Sequence, residues 1–346
     1  MDKLSSLIYE DSKAAYKNID LGPIIGKTVL ITGASGLLGT YLLATLKRLS
    51  EKGISKVRVI AVAHNNFLPF QKYFLDYSGA KIIKGDVTDQ NFYRRLPVAD
   101  YIIHAAGYAS PGLFMQDPVK TLKIGTLGTF SLFNKLRPKG KFIFISSSEV
   151  YSGSKNVPHK ETDIGTTNTD HPRSCYIEAK CCGEAICNAF RSREVDAKSA
   201  RLSLFYGPGT KPGDKRVLNS FIEKALSGNI SMLDQGHAKR TYCYITDTVE
   251  IVWKILIDGK EPIYNVGGQS KTTIRELAKK IGKNLNASVT FPKKNENKLA
   301  GAPEDVWLNM TKVEKEFGKN DYVSLEDGLA RTINWQKELY RTMGQK

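Results

Sequence analysis

A glycine-rich segment, Gly33-Ala-Ser-Gly36-Leu-Leu-Gly39, constrains the fold of this chain more than any other feature of its sequence. It follows residues 27–32, a β-branched apolar run that predicts a strand, and it opens a predicted helix at residues 37–51. Glycines in that setting permit a tight turn and a close approach of the backbone to a pyrophosphate at the helix N-terminus. An ordinary glycine turn is the alternative. We predict a dinucleotide-binding turn whose contacting residues are Gly33, Ser35, Gly36, Leu37, Leu38 and Gly39.

Strand and helix patterns alternate along the first 206 residues. Further strands are predicted at residues 57–63, 80–83, 99–104, 141–146 and 198–205, and helices at 119–136 and 174–191. Such alternation favours a parallel sheet covered by helices on both faces. The predicted fold class is therefore α/β, with a Rossmann-type doubly wound parallel sheet.

The pattern changes after Pro208, where glycine and proline punctuate a loop. A helix at 217–226, a short strand at 230–233, and helices beginning near residues 246, 273 and 324 are predicted there. We expect an amphipathic N-terminal extension at residues 1–26 and a dinucleotide-binding Rossmann domain at 27–206. Residues 207–346 are expected to form mainly a smaller C-terminal substrate-binding lobe, with segments near 240–260 returning to the Rossmann domain.

Composition limits the classes of function. The net charge of +16 favours anionic partners, but the Lys and Arg residues are spread along the chain without a long basic run, so phosphorylated small molecules are favoured over nucleic acid.

The N-terminus has no apolar signal region and the chain has no stretch long enough to span a membrane, so we expect a cytoplasmic protein. The five cysteines, an odd number without a Cys-x-x-Cys pair, indicate reduced packing residues rather than a disulfide framework or a metal site.

The end of the second predicted strand bears on which dinucleotide binds. An acid there would bond the adenosine ribose, and a basic residue would accept a 2′-phosphate. The chain has His64, Asn65 and Asn66, so this position does not decide between NAD and NADP. His64 either meets the ribose or phosphate or is simply solvated. The lack of a nearby arginine favours NAD.

Tyr176 and Lys180 are four residues apart on a predicted helix, so their side chains project from one face. A neighbouring ammonium group is expected to lower the pKa of the tyrosine, which would make Tyr176 a usable base for proton transfer at a hydroxyl during hydride exchange. The serine-rich strand end that precedes this helix contains Ser147, Ser148 and Glu149. Because ligands bind at the carboxyl ends of parallel strands, these hydroxyls are predicted to bond a sugar oxygen, although such runs are also common in polar loops.

Taken together, these residues resemble the extended short-chain dehydrogenase/reductase family, in its nucleotide-sugar epimerase, dehydratase and decarboxylase branch. The motifs that carry the resemblance, besides the glycine turn and the Tyr176/Lys180 pair, are Gly85-Asp86-Val87, His104-Ala105-Ala106, Tyr206-Gly207-Pro208, Arg240-Thr-Tyr-Cys-Tyr-Ile-Thr-Asp247 and Tyr264-Asn-Val-Gly-Gly268. Within that branch the chain is most similar to the UDP-glucuronate decarboxylases, through Ala109-Ser-Pro111, Asp117-Pro-Val-Lys-Thr121, Gly128-Thr129, Ser147-Ser-Glu149-Val-Tyr151, Pro172-Arg-Ser-Cys-Tyr176 and Asp214-Lys-Arg-Val-Leu-Asn-Ser-Phe221.

The resemblance implies roles for individual residues. Tyr176 would be the base, Lys180 its electrostatic support, Ser147 the hydroxyl that positions C4, and Glu149 the group that faces the sugar carboxylate. On the cofactor side, Asp86 and Val87 would contact adenine, and Ala105 and Ala106 would lie near the nicotinamide. The implied substrate-binding residues are Ser110, Pro111, Ser148, Arg216 and Arg240, with both arginines serving the diphosphate or the acid group.

Four positions depart from the family pattern. Members of the family usually carry Tyr in place of Phe114, Asn in place of Gly125, Asn in place of Leu204, and an aromatic residue of the nucleotide-base pocket in place of Leu233. These departures fall on substrate contacts and leave the redox residues intact.

The resemblance implies an enzyme that oxidises C4 of a nucleotide sugar with bound NAD and later returns the hydride. Related 4,6-dehydratases carry an acid at the position of Ser148, and serine cannot protonate a departing C6 hydroxyl. A lone Glu149 suits loss of carbon dioxide from a uronate, so decarboxylation is expected. A 4-epimerase or 4-oxidoreductase shares the same residues, and a non-catalytic dinucleotide-binding regulatory protein is a rival from another class. The family also implies a homodimer, formed through residues 119–136 and 174–191.

Overall fold

The computed structural model describes residues 1–53, 57–108, 110–293 and 303–344. Within those ranges a seven-stranded parallel sheet occupies the centre of the molecule, with strand order β10-β6-β5-β4-β1-β2-β3. Its strands are β1 (Thr28–Thr32), β2 (Arg58–Ala63), β3 (Ala80–Lys84), β4 (Ala99–His104), β5 (Leu136–Ser147), β6 (Asp196–Leu202) and β10 (Ile263–Val266). The parallel α/β prediction is confirmed, and the strand order reverses between β1 and β4, where an open sheet of this kind binds its ligand.

Helices cover the sheet and fill the C-terminal half. They are α1 (Lys3–Lys17), α2 (Leu37–Glu51), α3 (Pro69–Lys72), α4 (Pro111–Gln116), α5 (Pro118–Lys123), α6 (Thr129–Phe133), α7 (Ser174–Arg191), α8 (Val217–Leu226), α9 (Ile245–Asp258), α10 (Ile274–Leu285), α11 (Thr311–Phe317) and α12 (Leu325–Gly344). None of the helices in the described ranges combines the length and the apolar composition that crossing a bilayer requires.

Two smaller sheets lie beyond the seven-stranded one. One has four strands, with β9 (Lys239–Tyr244) flanked by β7 (Leu204–Tyr206), β11 (Ser270–Thr273) and β13 (Asp305–Val306). The other joins β8 (Asn229–Ser231) to β12 (Ser288–Thr290). These sheets place the C-terminal segments beside the carboxyl edge of the central sheet.

The core lies on both faces of the central sheet because its side chains alternate in direction along each strand. In β1, Val29 and Ile31 join one buried cluster and Leu30 joins the other. All five residues of this strand are buried, as expected for a strand covered on both sides.

The N-terminal helix α1 packs on this framework. The side chain of Asp11 accepts hydrogen bonds from Tyr41 at 2.7 Å, Tyr244 at 2.8 Å and Arg331 at 3.0 Å. These three donors belong to α2, β9 and α12, so a single carboxylate ties α1 to three separate elements. Burial nevertheless raises the pKa of Asp11.

The predicted helix at 119–136 is wrong in its middle. The structure has α5, then a π-helical stretch at Ile124–Gly128, then α6, which ends at Phe133. Gly125 and Gly128 weaken the α-helix there, and the carbonyl of Ile124 lies 3.2 Å from Nε2 of the buried His104.

The predicted strand at 198–205 is divided in two. The chain leaves the central sheet after Leu202 and enters the four-stranded sheet at Leu204. Ser203 therefore lies at a crossing between sheets, which an apolar run does not reveal.

The five cysteines are free, and their environments differ. Cys187 and Cys243 are buried, Cys175 and Cys181 are half-buried, and Cys182 is exposed. Cys182 therefore does not have the packing role expected for the group.

Candidate active site

The glycine turn joins β1 to α2 at the carboxyl edge of the sheet. Gly33 has φ of +68°, and a Cβ atom there would lie 2.4 Å from the carbonyl oxygen of Ala105. A Cβ on Gly39 would lie 2.5 Å from the carbonyl oxygen of Ala34. Side chains are therefore excluded where the backbone turns toward the N-terminus of α2, which is the geometry that a pyrophosphate requires.

The neighbouring residues of this turn are held by packing. Leu37 and Leu38 are buried, and the carbonyl of Ser35 accepts a hydrogen bond from the side chain of Gln71 at 3.0 Å. Gly36 precedes α2 in an extended conformation. These residues fit a bound dinucleotide phosphate because the N-cap of α2 is a glycine, and no side-chain cap occupies the first backbone N–H groups of the helix.

The strand ends beside the turn bring further predicted residues together. Nδ1 of His64 lies 3.8 Å from Oδ2 of Asp86, and Nζ of Lys120 lies 2.7 Å from the same oxygen. Although partial burial opposes it, hydrogen bonds from Lys120 and Thr88 lower the pKa of Asp86 to about 2. Sequence reasoning missed Lys120, which neutralises Asp86 and was visible only as part of a longer motif.

Four of the remaining cofactor candidates surround this corner. Asn65 is exposed after β2, Val87 is buried beneath Asp86, and Ala105 and Ala106 follow β4. The amide of Ala106 donates to Oγ1 of Thr32 at 3.2 Å, which joins the ends of β1 and β4. These residues and the glycine turn therefore follow the carboxyl ends of β1, β2, β3 and β4.

Tyr176 lies in the first turn of α7, with Lys180 one turn later. Burial raises the pKa of Tyr176 to about 12, while the neighbouring Ser147 hydroxyl acts in the opposite direction. The lowered pKa expected for Tyr176 is not found, because burial outweighs the lowering effects of Ser147 and Arg173. The ammonium group of Lys180 donates to the carbonyl of Ile145 at 2.7 Å and lies 5.6 Å from the centre of the tyrosine ring.

Lys180 itself is strongly affected by its surroundings. Burial lowers its pKa to about 8, with Glu184 acting in the opposite direction. Its ammonium group also lies 4.9 Å from the centre of the Phe144 ring. Lys180 is therefore a buried cation whose pKa lies close to neutral pH. It lies between the strand that ends at Ser147 and the helix that carries Tyr176.

Glu149 is not a lone carboxylate. Nε of Arg173 donates to its Oε2 at 2.9 Å, and Nη2 of Arg173 donates to Oε1. Arg173 belongs to one of the motifs of the family resemblance, but no role was predicted for it. Its position three residues before the tyrosine was the available signal, although the contact spans 24 residues of chain.

The two predicted substrate arginines are also engaged. Arg216 forms a bidentate pair with Asp214, with Nε 3.0 Å from both carboxylate oxygens. Arg240 donates to three carbonyls, of Lys239, Pro303 and Glu304. Among the described residues no contact joins Arg216 to Glu149 or Tyr176.

Helix α4 brings the other substrate candidates next to the tyrosine. Ser110 and Pro111 begin this helix, and Ala109, which precedes them in the motif, lies outside the described residues. The ring of Phe114 stacks on Tyr176 with a centroid distance of 4.5 Å and an interplanar angle of 12°. Ser148 is half-buried between Ser147 and Glu149 at the strand end.

The structure shows what two of the departures from the family pattern, Phe114 and Gly125, contact. Phe114 provides the stacking face just described. Gly125 lies where a Cβ atom would approach the carbonyl oxygen of Ala179 to 2.5 Å, so a larger residue would push α7 away. Leu233 is 56% exposed and Leu204 is half-buried at the start of β7.

A parallel sheet with this glycine turn, carrying a serine, a tyrosine and a lysine at its carboxyl edge, defines a dinucleotide-binding protein of the short-chain dehydrogenase/reductase type. More specifically, the chain belongs to the NAD dependent epimerase/dehydratase family, whose model matches residues 29–267.

Individual relatives span several activities. UDP-glucuronic acid decarboxylase 1 of Xenopus tropicalis is 28% identical over 325 residues, which cover 90% of this chain and 73% of that protein. The structure of an epimerase from Methanothermobacter thermautotrophicus matches with a TM-score of 0.78 at 22% identity, covering 98% of each chain. A second structure, of a dTDP-glucose 4,6-dehydratase from Streptomyces venezuelae with NAD bound, has a TM-score of 0.77 and 23% identity. The match covers 90% of this chain and 97% of that chain. The two structures show the shared fold.

Proposed function

We propose that this protein is an NAD-dependent decarboxylase of a nucleotide-linked hexuronate of the UDP-glucuronate type. The observation that carries the proposal is the strand end at residues 147–149, where a serine hydroxyl and a carboxylate flank Tyr176 and Ser148 replaces an acid. The similarity to a UDP-glucuronic acid decarboxylase over 90% of the chain supports the same reading.

The protein residues supply binding and proton transfer. Ser147 and Tyr176 hold the C4 hydroxyl, and Tyr176 takes its proton as C4 becomes a ketone. The dinucleotide held by the glycine turn would supply the acceptor for the C4 hydride and the donor for its return. Because burial raises the pKa of Tyr176 in the protein alone, positive charge must favour its ionised form during turnover; Arg173 already acts in that direction, and the ammonium group of Lys180 lies 5.6 Å from the centre of the tyrosine ring.

Loss of carbon dioxide follows from the position of the ketone. A keto group β to a carboxylate accepts the electron pair of the breaking carbon–carbon bond, so no residue has to protonate a leaving group. Ser148 would be too weak an acid for dehydration of C6. Protonation of the resulting enolate and return of the hydride to C4 complete a reaction that consumes no cofactor.

The cofactor-binding part is proposed to span residues 27–206 and the substrate-binding part residues 207–346, after an N-terminal extension at 1–26. The support is that Arg216 and Arg240 lie in the later segment. Helix α9 nevertheless packs against β5 and β6, so the segment near 240–260 belongs spatially to the central sheet.

A homodimer is also proposed. Large apolar side chains on α5, the π-helical stretch and α6 are exposed, and they are Val119 at 61%, Leu122 at 38%, Leu127 at 49% and Phe130 at 55%. A second copy of the same helices would cover them. Sedimentation analysis at micromolar concentration should give a dimer, and Phe130→Asp should shift it toward the monomer.

The reaction is tested by offering UDP-glucuronate, UDP-glucose, and GDP- and dTDP-hexoses in parallel with NAD. Carbon dioxide released from the uronate alone supports the proposal. A 4-epimer from any of these sugars indicates an epimerase, and net accumulation of NADH indicates a 4-oxidoreductase. A 4-keto-6-deoxy product would show that the interpretation of Ser148 is wrong.

A further inference from the structure

Helix α7 presents one polar side chain on each of three successive turns to the end of strand β5. The row is Tyr176, Lys180 and Glu184. The ammonium group of Lys180 donates to the carbonyl of Ile145 at 2.7 Å, and the carboxylate of Glu184 accepts a hydrogen bond from the hydroxyl of Ser146. Because residues four apart share a helix face, Glu184 continues the row that carries the base.

The carboxylate of Glu184 is buried, with 6% of its side chain exposed. Arg201 on β6 donates to it from Nε at 3.0 Å and from Nη2 at 2.7 Å. Arg201 is also the register partner of Ser146 in the sheet, and its Nη1 donates to the hydroxyl of Tyr151 at 2.8 Å. Since charge-assisted hydrogen bonds of this kind fix geometry, one carboxylate ties α7 to β5, to β6 and to the turn that carries Glu149.

The helix packs closely on the strand at the same level. A Cβ atom on Gly183 would lie 2.3 Å from the ring of Phe144. Packing at this density does not allow the two elements to slide without displacing their neighbours. The level at which Glu184 meets the strand therefore also sets the level of Tyr176 relative to Ser147.

Glu184 also acts on the charge of Lys180. It favours the ammonium form, whereas burial opposes that form. Two further titratable groups face Lys180, which are His104 on β4 and Tyr176 on its own helix, and the charged Arg201 on β6 is paired with Glu184. Burial lowers the pKa of His104 to about 3 and raises that of Tyr176 to about 12, so neither changes its charge near neutral pH.

We propose that Glu184 is a positioning residue for the base, which fixes α7 on β5 and keeps the ammonium group of Lys180 charged beside Tyr176. The inference rests on the roles proposed for Tyr176 and Lys180 and is independent of the identity of the sugar. A cation near the phenol favours the phenolate that accepts a proton from the C4 hydroxyl. A carboxylate that served only to neutralise Arg201 would leave the charge on Lys180 unaffected.

The test measures the pH at which Lys180 loses its proton in the folded protein. The free energy of unfolding by denaturant would be determined from about pH 6 to about pH 10 for the unmodified chain and for Lys180→Met, and again with Glu184→Gln in both. Within each pair the cost of an unpaired Arg201 is shared and cancels. Glu178→Gln is the matched control, because Glu178 is a half-buried carboxylate on the same helix but, two residues from Lys180, lies on another face.

In the unmodified background the two curves should begin to converge at about pH 8, because above this pH the folded chain has lost the proton that the unfolded chain still binds. Removing the neighbouring negative charge disfavours the cation, so Glu184→Gln should move the convergence to lower pH by roughly 0.5 to 1 unit. Glu184→Asp should keep most of the original value, and Glu178→Gln should leave it in place.

A convergence point unmoved by Glu184→Gln would overturn the inference, as would an equal shift with Glu178→Gln or unmodified curves that stay parallel at every pH. If Glu184→Gln fails to fold, Glu184→Gln/Arg201→Met removes both charges of the pair and is judged by the same shift. Failure of both variants to fold would show that Glu184 acts on folding alone.

The measurement uses no substrate, so its outcome is separate from that of the proposed reaction. A shift with Glu184→Gln in a protein that releases no carbon dioxide would sink the decarboxylase proposal and leave the role of Glu184 standing. Carbon dioxide release together with an unmoved convergence point would do the reverse.

Discussion

The glycine turn after β1 and the cleft around Glu149 are held in shape by different forces. In the turn, backbone meets backbone at Gly33 and Gly39, and no charged side chain is involved. In the cleft, charge holds the shape, because Nε and Nη2 of Arg173 both donate to the carboxylate of Glu149. The first region excludes side chains and therefore tolerates almost no substitution, whereas the second has partners that a ligand can exchange.

The largest effect is expected at the base itself. Tyr176→Phe removes the proton acceptor while leaving the stack on Phe114, so turnover should fall by roughly 10² to 10⁴ with little change in melting temperature. Tyr77→Phe is the control, because the Tyr77 hydroxyl is buried without a hydrogen-bond partner in the described structure. Near-normal turnover of Tyr176→Phe would show that another group accepts the proton.

The backbone contacts of the turn are tested by Gly33→Ala. The added methyl would press on the carbonyl of Ala105 in a residue with positive φ, which should cost about 2–4 kcal/mol of the free energy of unfolding and weaken NAD binding. Gly53→Ala is matched in φ, at +76°, but has open space around it and should cost only about 1 kcal/mol. Equal losses in the two variants, measured by denaturant unfolding, would mean that strain rather than close approach governs the turn.

The buried lysine gives a pH-dependent prediction. The pKa of Lys180 in the folded protein is about 8, below its ordinary value of 10.5, so the unfolded chain binds more protons between these values. The contribution of Lys180 to the free energy of unfolding should therefore rise as pH increases from about 8 toward 10.5, by about 3 kcal/mol.

This contribution is isolated as a difference between two proteins. Because tyrosines and cysteines with raised pKa values act in the opposite direction at high pH, the unfolding curve of Lys180→Met should be subtracted from that of the unmodified chain. The free energy of unfolding of the unmodified chain should approach that of Lys180→Met as pH rises, since a neutral Lys180 no longer opposes folding. A difference independent of pH would place the ammonium group in a better solvated site than the structure gives it.

The smallest effect is expected for binding of the nucleotide base. Leu233 is 56% exposed where the family usually carries an aromatic residue. Leu233→Phe should strengthen UDP binding roughly 3- to 10-fold by stacking on the base and should leave stability unchanged. If titration shows no gain in UDP affinity, the nucleotide base binds away from Leu233. The contrast between the two regions would then concern only the part of the site that binds the sugar.

The two regions also differ in how far the sequence predicted them. The bounds of α2, α7 and α8 follow from apolar periodicity and a glycine turn, which are local properties, and the structure has them as expected. Contacts of charged side chains with distant segments of the chain do not follow from such patterns. Arg173 reaches Glu149 across 24 residues, and Asp11 is held by a tyrosine and an arginine more than 200 residues away.

The pKa of Tyr176 illustrates the same limit. Helical spacing correctly put Tyr176 and Lys180 on one helix one turn apart, but spacing carries no information on which carbonyl an ammonium group will choose. In the structure that carbonyl belongs to Ile145, and burial dominates the pKa of the tyrosine. The identity of the residues was therefore available from the sequence, while their electrostatics depended on the packing of β5 against α7.

The bare backbone at Gly125 has a consequence for how this protein can evolve. The family usually carries asparagine here, and the π-helical stretch now lies so close to α7 that any Cβ would strike the carbonyl of Ala179. A single reversion to asparagine would need α7, which bears Tyr176 and Lys180, to move at the same time. Asparagine at position 125 is therefore accessible only together with a second change that makes room at Ala179, so the two positions are constrained as a pair.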